Sequence, residues 1–134
     1  MKRYLLDTHT LIWAIADKSK LSKQVLEILQ DSDTQLFVSA VSFWEIVLKH
    51  GKGKLNLDNF HIHDIPDYCR KLSIQPVPLT SDEAINYSKF SFAENHKDPF
   101  DRMLIYQSIK GDYTLISRDE KMKFYEKDGL KCIW

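Results

Sequence analysis

The sequence predicts an α/β fold in which a parallel sheet of about five strands is sandwiched between helices. Short apolar runs alternate along the chain with longer segments that have helical periodicity. Strands that alternate with helices typically form βαβ units, in which successive strands are parallel. Acidic residues stand beside several apolar runs, where the chain is expected to pass from strand to helix. The pattern therefore indicates both the fold class and an acidic edge of the sheet.

The first predicted elements are a strand and a pair of helices. Residues 3–7 form an apolar run that ends in an acid, which is typical of a short buried strand. Thr8 or Thr10 is expected to cap the next helix, because a hydroxyl can accept hydrogen bonds from free N–H groups of the first turn. A second helix is predicted to start at Ser22, so the two helices would form a hairpin.

The next predicted elements are a second strand and a third helix. Residues 36–39 are apolar and are predicted to form the strand. Ser42 and Glu45 have the spacing of a capping box, so the helix is expected to open there. Gly51 is expected to end it.

A helix with a break near Pro66 is predicted over residues 58–72. Residues 74–77 are predicted to form a third strand. Either Thr80 or Ser81 would then cap a helix that runs to about residue 90. These elements continue the alternation of strands and helices.

The last third of the chain repeats the same alternation. Asp98 followed by Pro99 is typical of a helix start, with the acid as cap and the proline in the first helical position. A fourth strand is predicted over 114–117, a short helix over 120–126 and a last strand over 130–134.

The length and composition suit one domain, 1–134, with a packed core: the chain has 134 residues, of which 43% are apolar. No long uncharged apolar stretch is present, and Asp7 interrupts the first apolar run too early for a signal peptide. We therefore expect a soluble cytoplasmic protein without a membrane partner. Cys69 and Cys132 are far apart in sequence, and we expect two buried thiols and no disulfide.

The net charge is zero, because 19 basic residues balance 19 acidic ones. This argues against binding to long duplex DNA through bulk charge. A nuclease remains possible, since acids that hold a metal would offset bases that hold phosphate. Basic residues cluster locally around residues 49–54 and 118–123.

Four acids, Asp7, Glu45, Asp101 and Asp119, stand at predicted strand–helix junctions. The carboxyl ends of parallel strands share one edge of a sheet, where ligands bind. At about 4 Å and an effective dielectric constant of about 20, each pair of carboxylates would repel by about 4 kcal/mol. A divalent cation such as Mg²⁺, which prefers oxygen ligands, removes that cost. The pattern therefore predicts a metal site and a metal-assisted reaction on phosphate.

Each acid also has a structural alternative. Asp7 and Asp98 have positions typical of helix caps, and Asp101 would favour the helix dipole from the first turn. Glu45 fits a capping box, and Asp119 a turn or a cap. The prediction of a metal site therefore depends on the four junctions together.

Other motifs are weaker. Residues 51–54 lack the spacing of a phosphate-binding loop and are expected to form a basic loop. His61 and His63 have no partner at a known metal-ligand spacing. His96 is expected to be a solvated loop histidine, with contact to substrate as the alternative.

Four segments carry motifs in a fixed order: 5–9, 39–55, 96–104 and 115–119. The most specific are the strings Ser39-x-x-Ser42-x-Trp44-Glu45-Ile46 and Asp98-Pro99-Phe100-Asp101-Arg102. In these segments the chain resembles the PIN-domain family, and within it the VapC-type toxins of bacterial toxin–antitoxin pairs. The resemblance implies a PIN fold and an endoribonuclease that depends on Mg²⁺, with Mn²⁺ as a substitute.

The resemblance also assigns roles to residues. Asp7, Glu45, Asp101 and Asp119 would be catalytic, and the metal ligands would be Asp7, Asp101 and Asp119, with Asp98 as an extra ligand. Ser117 and Thr8 would hold the ligating carboxylates in place. The candidate contacts to the RNA backbone are Lys49, Lys52 and Arg118.

The partners implied by the resemblance are an RNA substrate, a second copy in a homodimer and a cognate antitoxin. The antitoxin would lay an apolar segment across the first helices. Another class of function remains open, namely a catalytically inactive PIN-like module that binds RNA or protein. A phosphatase of the Asp-x-Asp type is disfavoured, because His9 stands where its second acid would be.

Overall fold

The computed structural model describes residues 1–55, 57 and 60–134. The strands of this part are β1 (Lys2–Leu6), β2 (Thr34–Ser39), β3 (Ile74–Val77), β4 (Thr114–Ile116) and β5 (Lys131–Ile133). The α-helices are α1 (Thr8–Ala16), α2 (Lys23–Gln30), α3 (Ala40–Gly51), α4 (Ile65–Lys71), α5 (Ser81–Asn86) and α6 (Pro99–Lys110). Short 3₁₀ helices cover Lys18–Lys20, Ile62–Asp64, Tyr87–Lys89 and Glu120–Asp128.

The strands form one parallel sheet in the order β3-β2-β1-β4-β5. The chain builds outward from β1 in one direction and then crosses back to place β4 on its other side. The order therefore reverses between β1 and β4, and the crevice at such a switch point is where α/β sheets bind ligands. The predicted fold class, a parallel sheet of five strands flanked by helices, is confirmed.

The core lies on both faces of the sheet, because side chains of a strand point alternately to opposite sides. Leu6 packs in a cluster with α1 and α2, whereas its neighbour Leu5 packs with α6 on the other face. Both are fully buried. Leu6 pairs with Ile116 in the sheet, so the residues that follow them, Asp7 and Ser117, emerge side by side.

Several predicted helix starts are confirmed and two are wrong. Ser22 and Asp98 cap α2 and α6 as predicted. Asp7, and neither threonine, caps α1 by accepting from the Thr8 N–H. The predicted capping box of Ser42 and Glu45 is also wrong, because α3 begins earlier, at Ala40, with Ser39 as its cap. A capping box instead forms between Thr80 and Glu83 in α5.

The predicted helix over 58–72 is shorter in the structure. Helix α4 follows the 3₁₀ turn Ile62–Asp64. Pro66 lies in the first turn of α4, where a proline does not interrupt the helix. Positions 58 and 59 lie outside the described residues. The expected last helix is a 3₁₀ helix, and it ends at Gly129 in a left-handed conformation that suits glycine.

Both cysteines are free thiols, as predicted; Cys69 is buried, whereas Cys132 is only partly buried, so the expected burial is confirmed for Cys69 alone. Within the described ranges, no helix combines the length and the apolar character needed to cross a membrane.

Candidate metal centre

All the acids predicted for the site meet in one open cleft of about 310 Å³ at the carboxyl edge of the sheet. The cleft is lined by Asp7, His9, Trp13, Glu45, Lys49, Asp98, Asp101, Arg118 and Asp119. A larger cleft of about 680 Å³ lies at the opposite edge, around Met1, Lys2 and Thr34. We assign the site to the smaller cleft because its lining carboxylates converge at the switch point of the sheet.

Asp7 is held rigidly by the fold. Its side chain is 7% exposed and sits between β1 and α1. One oxygen, Oδ1, accepts from the Thr8 N–H at 2.7 Å, and Oδ2 accepts from the Ser117 hydroxyl at 2.6 Å. Burial raises the pKa of Asp7, while the bonds from Ser117 and Thr8 oppose that rise. Ser117 also accepts from the Asp119 N–H at 3.1 Å, so one hydroxyl links two acids of the site.

Glu45 reaches the cleft from the second turn of α3 and is 2% exposed. Its Oε1 accepts from the Thr8 hydroxyl at 2.6 Å, and that hydroxyl lies 2.9 Å from Ser42 Oγ. Ser42 therefore supports the contact between α1 and α3 and does not cap a helix. Thr8 takes its predicted place beside the acids, with its backbone on Asp7 and its hydroxyl on Glu45.

Lys49 forms an ion pair with Glu45 Oε2 one turn further along α3. Partial burial alone would lower the pKa of Lys49, but the hydrogen bond and charge of Glu45 outweigh it and the pKa is raised. The charges of Asp98 and Asp101 act in the same direction. The ammonium group of Lys49 is thus committed to the acids in this structure, whereas the sequence suggested a contact with RNA.

Asp101 is a carboxylate whose surroundings disfavour its charge. It lies in the first turn of α6 with its side chain 21% exposed. Burial, followed by the charges of Asp7, Asp98, Glu45 and Asp119, raises its pKa to about 8. Burial and like charges both disfavour the ionised form, so the group favours either a proton or a nearby cation.

Asp98 and Asp119 also act as caps. Asp98 Oδ1 accepts from the N–H groups of Phe100 at 2.8 Å and Asp101 at 3.3 Å, which confirms the structural alternative. Asp119 Oδ1 accepts from the Lys121 N–H at 3.0 Å and caps the 3₁₀ helix. A cap uses one carboxylate oxygen, and capping therefore leaves ligation possible for both residues.

His96 is the site residue that the sequence interpretation missed. It is 3% exposed, so the prediction of a solvated loop histidine is wrong. Burial lowers its pKa, although the charge of Asp119 acts the other way. His96, Asp101 and Asp119 each offer a possible ligand atom, and these atoms lie within 4.8 Å of one another. The available signal was its position at the start of the motif-bearing segment 96–104.

Arg118 and Lys52, the other two candidate contacts to the RNA backbone, differ in position. Arg118 is exposed at the rim of the cleft, with its guanidinium carbon 5.9 Å from the centre of the Trp13 ring. Lys52 is exposed just beyond the end of α3 and is not among the residues that line the cleft. Arg118 is therefore the better placed of the two to meet a phosphate bound among the acids.

The donor set fits a hard divalent cation. Carboxylate oxygens from β1, α6 and the turn after β4 converge, and oxygen ligands are those that Mg²⁺ and Mn²⁺ prefer. Burial raises the pKa of Asp7 and of Asp101, and the charges of the neighbouring acids raise that of Asp101 further, a perturbation typical of functional sites.

Comparison with known proteins places the chain in a family. A model of the PIN domain matches residues 4–130, and the chain belongs to the PIN-domain family. Among curated proteins, Ribonuclease VapC22 of Mycobacterium tuberculosis (strain ATCC 25618 / H37Rv) is 22% identical over 137 residues, which cover 100% of both chains.

Solved structures share the fold. The structure of VapBC2 from Rickettsia felis bound to a DNA fragment from their promoter matches with a TM-score of 0.65 and 16% identity, over 98% of this chain and 97% of that chain. VapBC-1 from nontypeable Haemophilus influenzae matches with a TM-score of 0.63 and 17% identity, over 98% and 96% of the two chains.

Proposed function

We propose that this chain is a metal-dependent endoribonuclease, the toxin component of a toxin–antitoxin pair, which hydrolyses phosphodiester bonds in RNA. The observation that carries the proposal is the convergence of the predicted acids in one cleft, where the pKa of Asp101 is raised to about 8. The ribonuclease relative supports RNA as the substrate, and the VapBC structures support an antitoxin as partner.

The proposed cofactor is Mg²⁺, with Mn²⁺ as a substitute. Asp7, Asp101 and Asp119 would hold the ion, and Asp98 would add an oxygen while it caps α6. Ser117 and Thr8 would keep the ligating groups oriented through the hydrogen bonds described above. When bound, the ion supplies Lewis acidity toward a water molecule and positive charge beside the phosphate.

The residues of the chain account for the remaining steps. Glu45 or Asp119 orients the attacking water, because each presents a carboxylate to the cleft. The water oxygen loses a proton to solvent and forms a bond to phosphorus as the bond to the 3′ oxygen breaks in line with it, and the 3′ oxygen takes up a proton from solvent. Arg118 binds the phosphate backbone at the rim, while Lys49 stays paired with Glu45 and Lys52 contacts RNA further away.

The proposed partners follow the same family pattern. Leu26, Leu29 and Leu72 line a small groove beside α2, which supports an apolar antitoxin segment there. Trp44 and Val47, respectively 58% and 48% exposed on α3, support pairing with a second copy in a homodimer. An RNA substrate places the proposed action in the cytoplasm.

The test is cleavage of structured RNA by purified, antitoxin-free protein in Mn²⁺ or in EDTA. We expect cleavage in Mn²⁺, none in EDTA, and a loss of more than about 100-fold in Asp7→Asn and Asp101→Asn, since even residues behind metal ligands cost about 10–100-fold. Asp33→Asn, an exposed acid before β2, is the matched control and should keep full activity. Cleavage that survives EDTA and both variants would contradict the proposal. Mn²⁺ binding without cleavage of any RNA would favour the inactive binding module.

A further inference from the structure

A chain of hydrogen bonds runs beneath the Asp101 carboxylate. Tyr125 is fully buried, and its hydroxyl accepts from the Ala93 N–H at 3.2 Å. The same hydroxyl lies 3.0 Å from His96 Nδ1. The other ring nitrogen, Nε2, lies 3.3 Å from Asp101 Oδ2. The imidazole therefore bridges a buried phenol and a carboxylate of the proposed metal site.

The geometry fixes the direction of these hydrogen bonds. A phenol has one hydrogen to donate, and in the described part of the chain the Tyr125 hydroxyl has no neighbouring acceptor besides His96 Nδ1. The hydroxyl therefore donates to Nδ1, and the ring carries its proton on Nε2. That proton points at Asp101 Oδ2. The opposite tautomer would aim a lone pair at a carboxylate oxygen and leave the phenol without an acceptor.

The histidine is also held by its backbone. The His96 N–H donates to the Ala93 carbonyl at 3.0 Å, and Arg102 Nε donates to the His96 carbonyl at 2.5 Å. Arg102 lies directly after Asp101 on α6, so the loop and the helix that carries the acid are tied together. The ring has little freedom to turn away from the carboxylate.

We propose that His96 is a positioning residue, which donates from Nε2 to Asp101 Oδ2 in a tautomer set by Tyr125 and so leaves the other oxygen of Asp101 for the cation. The assignment rests on the metal site of the proposed function and adds to it. It also distinguishes His96 from the acids: although Nε2 lies close enough to Asp101 and Asp119 to share a cation with them, its lone pair is occupied by the proton.

The first test is nitrogen NMR of the imidazole in metal-free protein at about pH 9, above the pKa of about 8 of Asp101, so that this carboxylate is ionised. The measurement requires neither RNA nor activity. Wild type should show Nε2 protonated and Nδ1 unprotonated, and Tyr125→Phe should lose this single tautomer. Tyr106→Phe, which removes a hydroxyl from another buried tyrosine, should keep it. A proton on Nδ1 in wild type would overturn the proposal. Loss of the Nε2 proton when Mg²⁺ is added would overturn it too, because His96 would then be a ligand.

The second test is the affinity for Mn²⁺, measured by calorimetry. His96→Leu should weaken binding about 10-fold or more, the usual cost of losing a group behind a metal ligand. His96→Gln should restore most of the affinity, because its amide keeps an N–H donor at a comparable distance from the backbone. Equal affinity in the two variants would overturn the proposal. If His96→Leu fails to fold, the comparison between Tyr125→Phe and Tyr106→Phe decides, with weaker Mn²⁺ binding expected in Tyr125→Phe alone.

Discussion

Asp7 and Asp101 reach the same cleft from two sides, but the fold holds them very differently. Asp7 has a hydrogen bond on each oxygen, from Thr8 and Ser117, and it caps α1 as well. Within the described residues, the Asp101 side chain has one hydrogen bond, at 3.3 Å to His96, and the charges of four other acids act on it, with Lys49 as a nearby cation. The fold thus orients Asp7 through hydrogen bonds, whereas it places Asp101 among like charges at an electrostatic cost.

The difference shows how a metal centre can be both rigid and responsive. One acid is oriented before any cation arrives, so it loses little conformational entropy on binding. The other gains most from a cation, because burial and the surrounding charges raise its pKa to about 8. The predictions below test this division, from the largest expected effect to the smallest.

The largest expected effect is on the pH dependence of unfolding of the metal-free protein, which should report the titration of Asp101. Its pKa in the folded state, about 8, lies above the ordinary aspartate pKa of 3.8, so the folded state binds the proton more tightly than the unfolded state. The stabilisation is therefore complete below about pH 4 and is lost as pH rises to about 8, at a cost of several kcal/mol at most. Thermal unfolding in EDTA across this range measures it. A slope that is equally steep in Asp101→Asn would contradict the assignment.

The Asp→Asn variants should differ in their effect on stability in EDTA. In Asp7→Asn the amide nitrogen faces a hydrogen-bond donor, either Ser117 or the Thr8 N–H, at a cost of about 1–3 kcal/mol that offsets the gain from removing a buried charge. In Asp101→Asn the repulsion is removed, so stability at pH 9 should rise by about 1 kcal/mol or more, the free energy of one pKa unit. Urea unfolding at about pH 9 measures both. A gain in Asp7→Asn as large as that in Asp101→Asn would break the comparison.

Removing the hydrogen bond from Ser117 should leave the Asp7 carboxylate less firmly oriented, as the Asp101 carboxylate is. In Ser117→Ala the Oδ2 atom loses its 2.6 Å hydrogen bond, so the affinity for Mn²⁺ should fall about 10-fold. Calorimetry measures this, with Ser19→Ala, an exposed serine away from the cleft, as the matched control. An unchanged affinity in Ser117→Ala would mean that the preset orientation of Asp7 contributes nothing to binding.

The smallest effect is expected at the rim of the cleft. Arg118→Ala should raise KM for RNA several-fold at low salt, and the effect should shrink as salt is added, because the contact is with phosphate. Lys52→Ala should have a smaller effect, since Lys52 does not line the cleft. Steady-state cleavage at two salt concentrations compares them. A larger effect in Lys52→Ala would place the RNA path along α3.

Local sequence pattern was enough to predict the strands and most of the acids. Apolar runs mark buried strands, and two of the acids follow adjacent strands of the sheet, Asp7 directly and Asp119 after two intervening residues. The Asp98–Pro99 start of α6 was equally predictable, because capping depends on neighbouring residues alone. Glu45 was assigned to the site, but its alternative as part of a capping box was wrong, since helix boundaries are weakly encoded by single residues.

The support of the site could not be predicted in the same way. The partners of Glu45 are Thr8, 37 positions away, and Lys49 on its own helix. His96 lies in a polar loop, and nothing in the loop indicates that Tyr125, 29 positions later, covers it. Such contacts depend on how the 3₁₀ helix and α6 pack against the sheet, and side chains far apart in sequence carry no local signal of that packing.

The sequence by itself therefore determined the fold class, the order of the elements and the identity of the acids, because periodicity and capping act over a few residues. The tertiary structure alone decided which oxygens of the acids accept hydrogen bonds: both oxygens of Asp7 and, within the described residues, one oxygen of Asp101. It also decided that Lys49 pairs with Glu45 and that His96 is buried under Asp101. Hydrogen-bond direction and desolvation depend on distances between elements, and those distances exist only once the chain has folded.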